Sequence, residues 1–258
     1  MKQDSMFVAE RWERIAQMLK ANGRATVEDV SERLGVSPST IRRDLRRMHR
    51  EGLVIRTRGG AIRPEQVSFD RSIAESLTQQ KSEMEEIGRF AATLIEAGVT
   101  LMIDGGATTL QLAKHLRTNR IVVVTNSFDI VGELKDKDGV SLIMVGGVVR
   151  GAFNVTHGPT AITELSRLKA DKAIIGINGI SAEDGLTAPD PLSAELKASM
   201  IGRSREVIVL ADHTKIGHVG LCQVAPIGAV DKLITDHKAS PEQVAELEEA
   251  GVEVLIAH

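Results

Sequence analysis

The sequence predicts an α/β protein built from a small N-terminal winged helix-turn-helix and a larger C-terminal α/β domain. Three observations predict it. Two short capped helices and a glycine-turned hairpin occupy residues 24–64, arginines crowd that same stretch, and from residue 82 short apolar runs alternate with helix-length segments. At 258 residues the chain is long enough for one small and one medium domain. They are expected at 1–64 and 82–258, with a linker at 65–81.

In the head, Val8, Trp12, Ile15 and Leu19 recur at i, i+4, i+7 and i+11, which gives a helix over about residues 7–21, stopped by Asn22 and Gly23. Thr26 caps a second helix, with Asp29 three residues on and Val30 and Leu34 on its apolar face; Gly35 ends it in a left-handed conformation. Ser37 and Pro38 open a third as N-cap and first helical residue. There Ile41, Leu45 and Met48 fall at i, i+4 and i+7, so they bury together, and Gly52 ends the helix. LVIRTRGGAIR then reads as a hairpin turning at Gly59 and Gly60, a wing carrying Arg56, Arg58 and Arg63.

Residues 64–81 are polar and weakly periodic. A helix follows with Met84, Ile87, Ala91 and Leu94 on one face. The runs at 99–104, 120–125, 140–145, 172–178, 206–211, 232–236 and 252–256 are continuously apolar, as strands of a mainly parallel sheet covered on both faces are. Helices are expected between them at 107–117, 127–135, 160–168, 193–203 and 241–250. With aromatics at 2% and no Tyr, the core is aliphatic.

Charge divides the chain. Residues 1–64 hold 14 Lys/Arg against 8 Asp/Glu and the remainder 18 against 27, so a pI of about 6.2 hides a basic head on an acidic body. Residues 37–64 alone hold eight arginines with one Asp and one Glu. Such a cluster suits a polyanion, and on a helix-turn-helix the polyanion is duplex DNA, with the second helix of the motif in the major groove. The expected DNA contacts are Ser37, Ser39 and Thr40 in the first turn, Arg42, Arg43, Arg46 and Arg47 along the helix, and Arg56 and Arg58 on the wing.

The single cysteine, Cys222, excludes an internal disulfide and reads as a small hydrophobe packed near Leu221 and Val224. The N-terminus lacks the apolar core of a signal peptide, and no apolar run approaches the ~20 residues of a membrane span, so a cytoplasmic protein with no membrane partner is expected.

In an open parallel sheet, ligands bind at the carboxyl ends of the strands. The first strand ends in Asp104, Gly105, Gly106, Ala107, Thr108 and Thr109, where glycines allow close approach and a helix N-terminus offers amides to an anion. The second ends in Thr125, Asn126 and Ser127, the third in Gly146 and Gly147, and the fourth in Gly176, Ile177, Asn178 and Gly179; Asp212 and Lys215 follow the fifth. Together these describe a site for a small, polar, phosphorylated ligand, although each turn alone also suits an ordinary strand-to-helix loop. No dinucleotide fingerprint or P-loop is present, so no cofactor is expected. His213 and His218 read as solvated loop residues rather than metal ligands, and no nucleophile elbow is found.

The head carries GVSPSTIRRDLRRM with GGA after the wing, and the body carries IDGGATT, VVTNS, GGVVR, GINGI, GLTAP, LKASMI, REVIVLADHTKIG and LITD. In these segments, taken in this order along essentially its whole length, the chain resembles the DeoR/GlpR family of bacterial sugar-metabolism repressors. The resemblance implies a winged helix-turn-helix followed by a sensor similar to ribose-5-phosphate isomerase and CoA-transferase folds. It also implies a phosphorylated sugar or related metabolite as effector, and a homo-oligomer, dimer or tetramer, on operator DNA near catabolic genes. It places Arg150 and Lys197 in reach of a phosphate, a surface lysine being the plainer reading of Lys197. Two positions depart from the family's pattern: Ala107 stands where Asp-x-Gly-Thr-Thr has its first threonine, and Ser193 stands where Glu is common. Both bear on effector choice.

Two functions of different class fit such a chain: a DNA-binding regulator with a sugar-phosphate sensor, and a sugar-phosphate isomerase- or transferase-like enzyme with an accessory DNA-binding head. The head favours the regulator, because an enzyme has no use for eight arginines on a helix and wing. The body also shows no paired-carboxylate or activated-nucleophile pattern.

Overall fold

The computed structural model of the chain describes residues 8–22, 24–50, 54–57, 60–62, 80–117 and 120–258. Gly23, Gly52, Arg58, Gly59, Arg63 and linker residues 65–79 lie outside the described residues. The chain divides into two compact units, residues 1–69 and 70–258.

In the first unit, α1 (Val8–Asn22), α2 (Val27–Leu34) and α3 (Pro38–Arg50) close around Ile15, Leu19, Val30, Ile41, Leu45 and Met48. Thr26 caps α2 by accepting from the Asp29 amide at 3.1 Å, and Gly35 ends it at φ 63°. Ser37 Oγ accepts from the Thr40 amide at 3.3 Å and so caps α3. Val8, expected on the apolar face of α1, is exposed. The wing is more than a hairpin. β1 (Arg24–Thr26) leads into the cap of α2 and pairs antiparallel with β3 (Gly60–Ile62), which also pairs with β2 (Ile55–Thr57). Three residues ending in a cap carry no apolar alternation, so β1 leaves no strand signal.

The second unit opens with α4 (Lys81–Thr93) and continues through β4 (Thr100–Ile103), β5 (Ile121–Thr125) and β6 (Val140–Met144). Two short strands follow, β7 (Val148–Arg150) and β8 (Val155–His157), then β9 (Ala170–Gly176), β10 (Gly179–Ser181) and β11 (Gly185–Ala188). The last strands are β12 (Ser204–Leu210), β13 (Cys222–Ala225), β14 (Lys232–Asp236) and β15 (Glu253–Ala257). The helices between them are α5 (Ala107–His115), α6 (Phe128–Leu134), α7 (Pro159–Ser166), α8 (Pro191–Gly202) and α9 (Pro241–Glu249).

The seven strands expected from the apolar runs form one parallel sheet in the order β15-β14-β12-β9-β4-β5-β6. The inner strands are covered on both faces, which is why their runs do not alternate with polar residues; on the edge strand β6, Ser141 and Ile143 are exposed. Leu101, Ile103, Ile174 and Ile208 enter a core with Ile87 of α4, Leu112 of α5 and Ile130 of α6. Their neighbours Met102, Ala173, Ile175 and Val209 enter a second core with Leu165 of α7, Met200 of α8 and Leu247 of α9. Each fully buried Leu or Ile contributes roughly 1.5–3 kcal/mol, so these two layers dominate the unit's stability. The pair β7-β8 and the three-stranded sheet β10-β11-β13, whose strands are too short to leave a pattern, lie outside this sheet. Cys222 is half-buried against the second core with Val224, but Leu221 is exposed rather than packed beside it.

Two features of this unit position the site. The chain steps outward from β4 to β5 and β6, then returns to the other side of β4 and continues from β9 to β12, β14 and β15. The order reverses between β4 and β9, and the carboxyl ends at such a reversal are where an open sheet has its ligand crevice. In addition, α4 lies directly on α5: a Cβ at Gly88 would come within 2.6 Å of the backbone at Gln111 and Leu112.

Glu83, buried in the first turn of α4, takes a charge-assisted bond from Lys238, just beyond β14. That bond, its backbone hydrogen bond and the Ser82 hydroxyl outweigh burial and lower its pKa from 4.5 to about 2. A folded pKa below the unfolded one contributes stability that is present above about pH 4.5 and is lost as pH falls through about 2. Glu83→Gln should therefore lower the urea midpoint at neutral pH, and the gap to the parent protein should close across that window. A gap that persists unchanged near pH 2 would show that packing, not charge, holds this residue.

Candidate functional site

α3 carries one acid, and the fold withdraws it. Asp44 is 2% exposed and accepts from Arg11 Nε at 2.7 Å, which ties α3 to α1. Arg42, Arg43, Arg46 and Arg47 are left exposed, so the outer face of the helix is cationic. Arg42 lies 4.0 Å from Glu28, but both are solvated and the pair is worth little. Ser37 and Ser39 are exposed and Thr40 is half-buried; the Ser39 and Thr40 hydroxyls each lie 2.9 Å from Ser37 Oγ, forming a small bonded group at the helix start. Arg56 stands in β2 opposite Ala61, its side chain outside the described residues, as is all of Arg58.

In the second unit the expected loops gather at the carboxyl ends of the strands. α5 starts at Ala107 with Gly106 as an N-cap that has no side chain to offer. Its first helical bond runs from Leu110 N to Gly106 O, leaving the amides of Ala107, Thr108 and Thr109 without partners in the helix. The Thr109 hydroxyl is spent on Asp104 O at 2.6 Å and Gly106 O at 3.0 Å, whereas the Thr108 hydroxyl bonds no described residue.

Asp104 is not the open sugar contact expected from the sequence. It is 2% exposed and ion-paired with Lys197 of α8, whose ammonium also donates to Gly176 O at 2.9 Å. Lys197 is neither a surface lysine nor an unengaged phosphate ligand. Its neighbours Leu196 and Met200 bury in the core, which draws it in to 7% exposure. It bridges the ends of β4 and β9 across the crevice.

Thr125, Asn126 and Ser127, expected as ligand donors, use their polar atoms internally. Asn126 Oδ1 accepts from the Gly105 amide at 3.0 Å and its Nδ2 donates to Thr156 O at 3.1 Å. Thr125 Oγ1 accepts from the Ser127 amide at 3.1 Å, and Ser127 Oγ caps α6 by accepting from the Ile130 amide at 3.3 Å. These residues shape the loop after β4. Thr156, which the sequence reading missed, locks the same corner by donating to Val145 O at 2.6 Å.

Arg150 bonds Asp190 at 2.9 Å and stacks over Phe153, 5.3 Å from its ring centre. Asp190 caps α8 through the Ser193 amide and also accepts from the Ser193 hydroxyl at 2.9 Å. Burial works to raise its pKa, but the Ser193 and Arg150 bonds outweigh it and hold the carboxyl below its ordinary range. The Ser193 departure thus serves a closed Arg150–Asp190–Ser193 cluster. Gly147, at φ 138°, passes so close to His157 O that no side chain fits there.

His157 was also missed, since one histidine in a three-residue strand carries no pattern. It is 6% exposed, and burial first, then Arg150 and Lys197, push its pKa below the ordinary value against the pull of Asp104 and Asp190. Asn178 is exposed, Gly179 is buried, and Lys215 lies 3.8 Å from Asp212. No hydrogen bond or ion pair joins Asn178 or Lys215 to the Asp104 cluster among the described residues. His213 is not a solvated loop histidine: its Nδ1 lies 2.9 Å from Asp236 Oδ1, at the end of β14. A cleft of about 330 Å³ at the amino ends of β4, β9 and β12, lined by Thr100, Asp171 and Arg205 among others, is at the opposite ends of these strands. No group of three or more His, Cys, Asp or Glu suited to a metal occurs among the described residues, and no helix there is long and apolar enough to cross a membrane.

The DeoR-like helix-turn-helix domain matches residues 11–67, and the DeoR C-terminal sensor domain matches residues 79–237. The HTH-type transcriptional repressor GlcR of Bacillus subtilis is 36% identical over 251 residues, 97% of each chain. The HTH-type transcriptional regulator GolR of Listeria innocua is 31% identical over 253 residues, 98% of this chain and 100% of the relative. Among solved structures, ribose 5-phosphate isomerase A from Methanocaldococcus jannaschii overlaps 53% of this chain and 55% of its own at 15% identity, with a TM-score of 0.39.

Proposed function

The chain belongs to the DeoR family of DNA-binding transcriptional regulators, and from that premise we propose that it represses genes of carbohydrate breakdown and leaves its operator when a phosphorylated sugar fills the crevice between β4 and β9. The observation that carries the reading is the arrangement of charge on α3, where the one acid is buried against Arg11 and four arginines face outward. In this reading residues 1–64 bind DNA, 65–81 connect, and 82–258 sense. Ser39, Thr40, Arg42 and Arg43 meet base edges and nearby phosphates, while Ser37, Arg46, Arg47 and the wing arginines Arg56 and Arg58 hold the backbone.

In the crevice, the loop from Gly105 to Thr108 receives the phosphate, with Asn178 and Lys215 at its rim; Asp104, Lys197 and Arg150, kept in their pairs, wall the sugar. The protein acts in the cytoplasm as a homo-oligomer, because two helix-turn-helix units read half-sites spaced by a turn of DNA.

The test is fluorescence anisotropy on duplexes enriched from a random library by the protein itself, titrated with glucose 6-phosphate, fructose 6-phosphate and ribose 5-phosphate. One of these should weaken the DNA complex by roughly 5–150-fold, and DNA should weaken that sugar's binding by the same factor. DNA affinity indifferent to all three would sink the effector claim and leave the DNA-binding assignment standing.

A further inference from the structure

We propose that His157 is a specificity-determining residue of the crevice, hydrogen-bonding a hydroxyl of the sugar rather than its phosphate. The assignment rests on the reading of the crevice as a phosphosugar site. His157 and Val155 are two residues apart on β8, so their side chains share one face of the strand. Val155 lies against the loop after β4, since a Cβ on Gly105 would strike its Cγ1. His157 is thereby turned toward the same loop. The charges that act on its ring are those of Asp104 after β4, Arg150 on β7, and Asp190 and Lys197 on α8.

Those four charges are already matched, Lys197 with Asp104 and Arg150 with Asp190. His157 is not. Its Nδ1 is fully enclosed without a partner, and neither ring nitrogen hydrogen-bonds any described residue. Buried polar groups are nearly always satisfied, so an enclosed exception marks a place where a partner is absent.

The absent partner is uncharged. The two ion pairs leave the ring no net charge to balance, and burial keeps it neutral near pH 7 by lowering its pKa. A neutral imidazole donates from one nitrogen and accepts at the other, and a sugar hydroxyl, itself donor and acceptor, meets that pattern. The anion has a separate place at the unpaired first-turn amides of α5.

The full-length protein and its His157→Leu and His157→Gln variants would be melted without ligand and then titrated with glucose 6-phosphate, fructose 6-phosphate and ribose 5-phosphate. Without ligand, His157→Leu should melt at or above the wild-type temperature, because it removes an unsatisfied buried group. For the sugar phosphate that the wild type binds best, His157→Leu should lose about tenfold or more in affinity. His157→Gln, which keeps a donor and an acceptor, should lose less. The thermal shift given by inorganic phosphate should be the same in all three proteins.

Wild-type sugar-phosphate affinity in His157→Leu overturns the assignment alone. A fall in its ligand-free melting temperature overturns it in favour of a structural role, and loss of the inorganic-phosphate shift overturns the hydroxyl contact. A wild type that binds none of the three sugars overturns the phosphosugar reading, and this assignment falls with it.

Discussion

Arg42→Ala and Arg43→Ala should each weaken DNA binding strongly while leaving the fold untouched. Both side chains are exposed on α3, so truncation removes no core contact. One is expected to form a bidentate pair with a guanine, worth ~1–3 kcal/mol of discrimination, or roughly 5–150-fold in affinity for the preferred sequence. The other grips phosphate, so its removal lowers affinity for all duplexes and reduces the salt slope by about one. Anisotropy titrations on preferred and scrambled duplexes at several salt concentrations separate the two roles. Parent-like binding by both variants would remove α3 from the groove.

Asp104→Ala should cost about 3–5 kcal/mol of unfolding free energy, because it strands the Lys197 ammonium at 7% exposure with only the Gly176 carbonyl beside it. Lys197→Met should cost a similar amount by stranding the carboxylate. The combination Asp104→Leu with Lys197→Met should recover most of the loss, since two apolar residues leave no uncompensated charge. Urea unfolding of the four proteins makes the comparison, and a single-variant cost below about 1 kcal/mol would mean that the pair is solvated and free for a ligand. A regulator that ignores its effector after Asp104→Ala is informative only once its folding at the assay temperature is established.

What the sequence conveyed followed from pattern length. Seven strands were legible because each carries a run of consecutive apolar residues, and α2 and α3 were legible because Thr26, Gly35, Ser37 and Pro38 punctuate them. β1, β7, β8, β10, β11 and β13 span three or four residues, too few for any period to repeat. In the crevice the residue types were read well and their engagement was not. Asn126, Thr125 and Thr109 look like ligand donors in a string of letters, yet each bonds its own backbone surroundings. Lys197 lies 93 residues from Asp104 in sequence, a pairing that only the return of the chain to β9 creates. His157 and Asp190 reach the crevice from a short strand and a helix cap, and no local spacing links them to it.

At Gly88, α4 comes so near α5 that a Cβ there would strike the Cβ of Gln111 and the backbone of Gln111 and Leu112. Ile87 of α4 and Leu112 of α5 pack in the same core, but at Gly88 itself α4 has no rotamer to change. A tilt of α5, whose first turn borders the crevice, therefore meets α4 at a point where no α4 side chain can give way. α4 is the first described element after the wing in chain order. A bulkier residue at 88 would wedge the two helices apart.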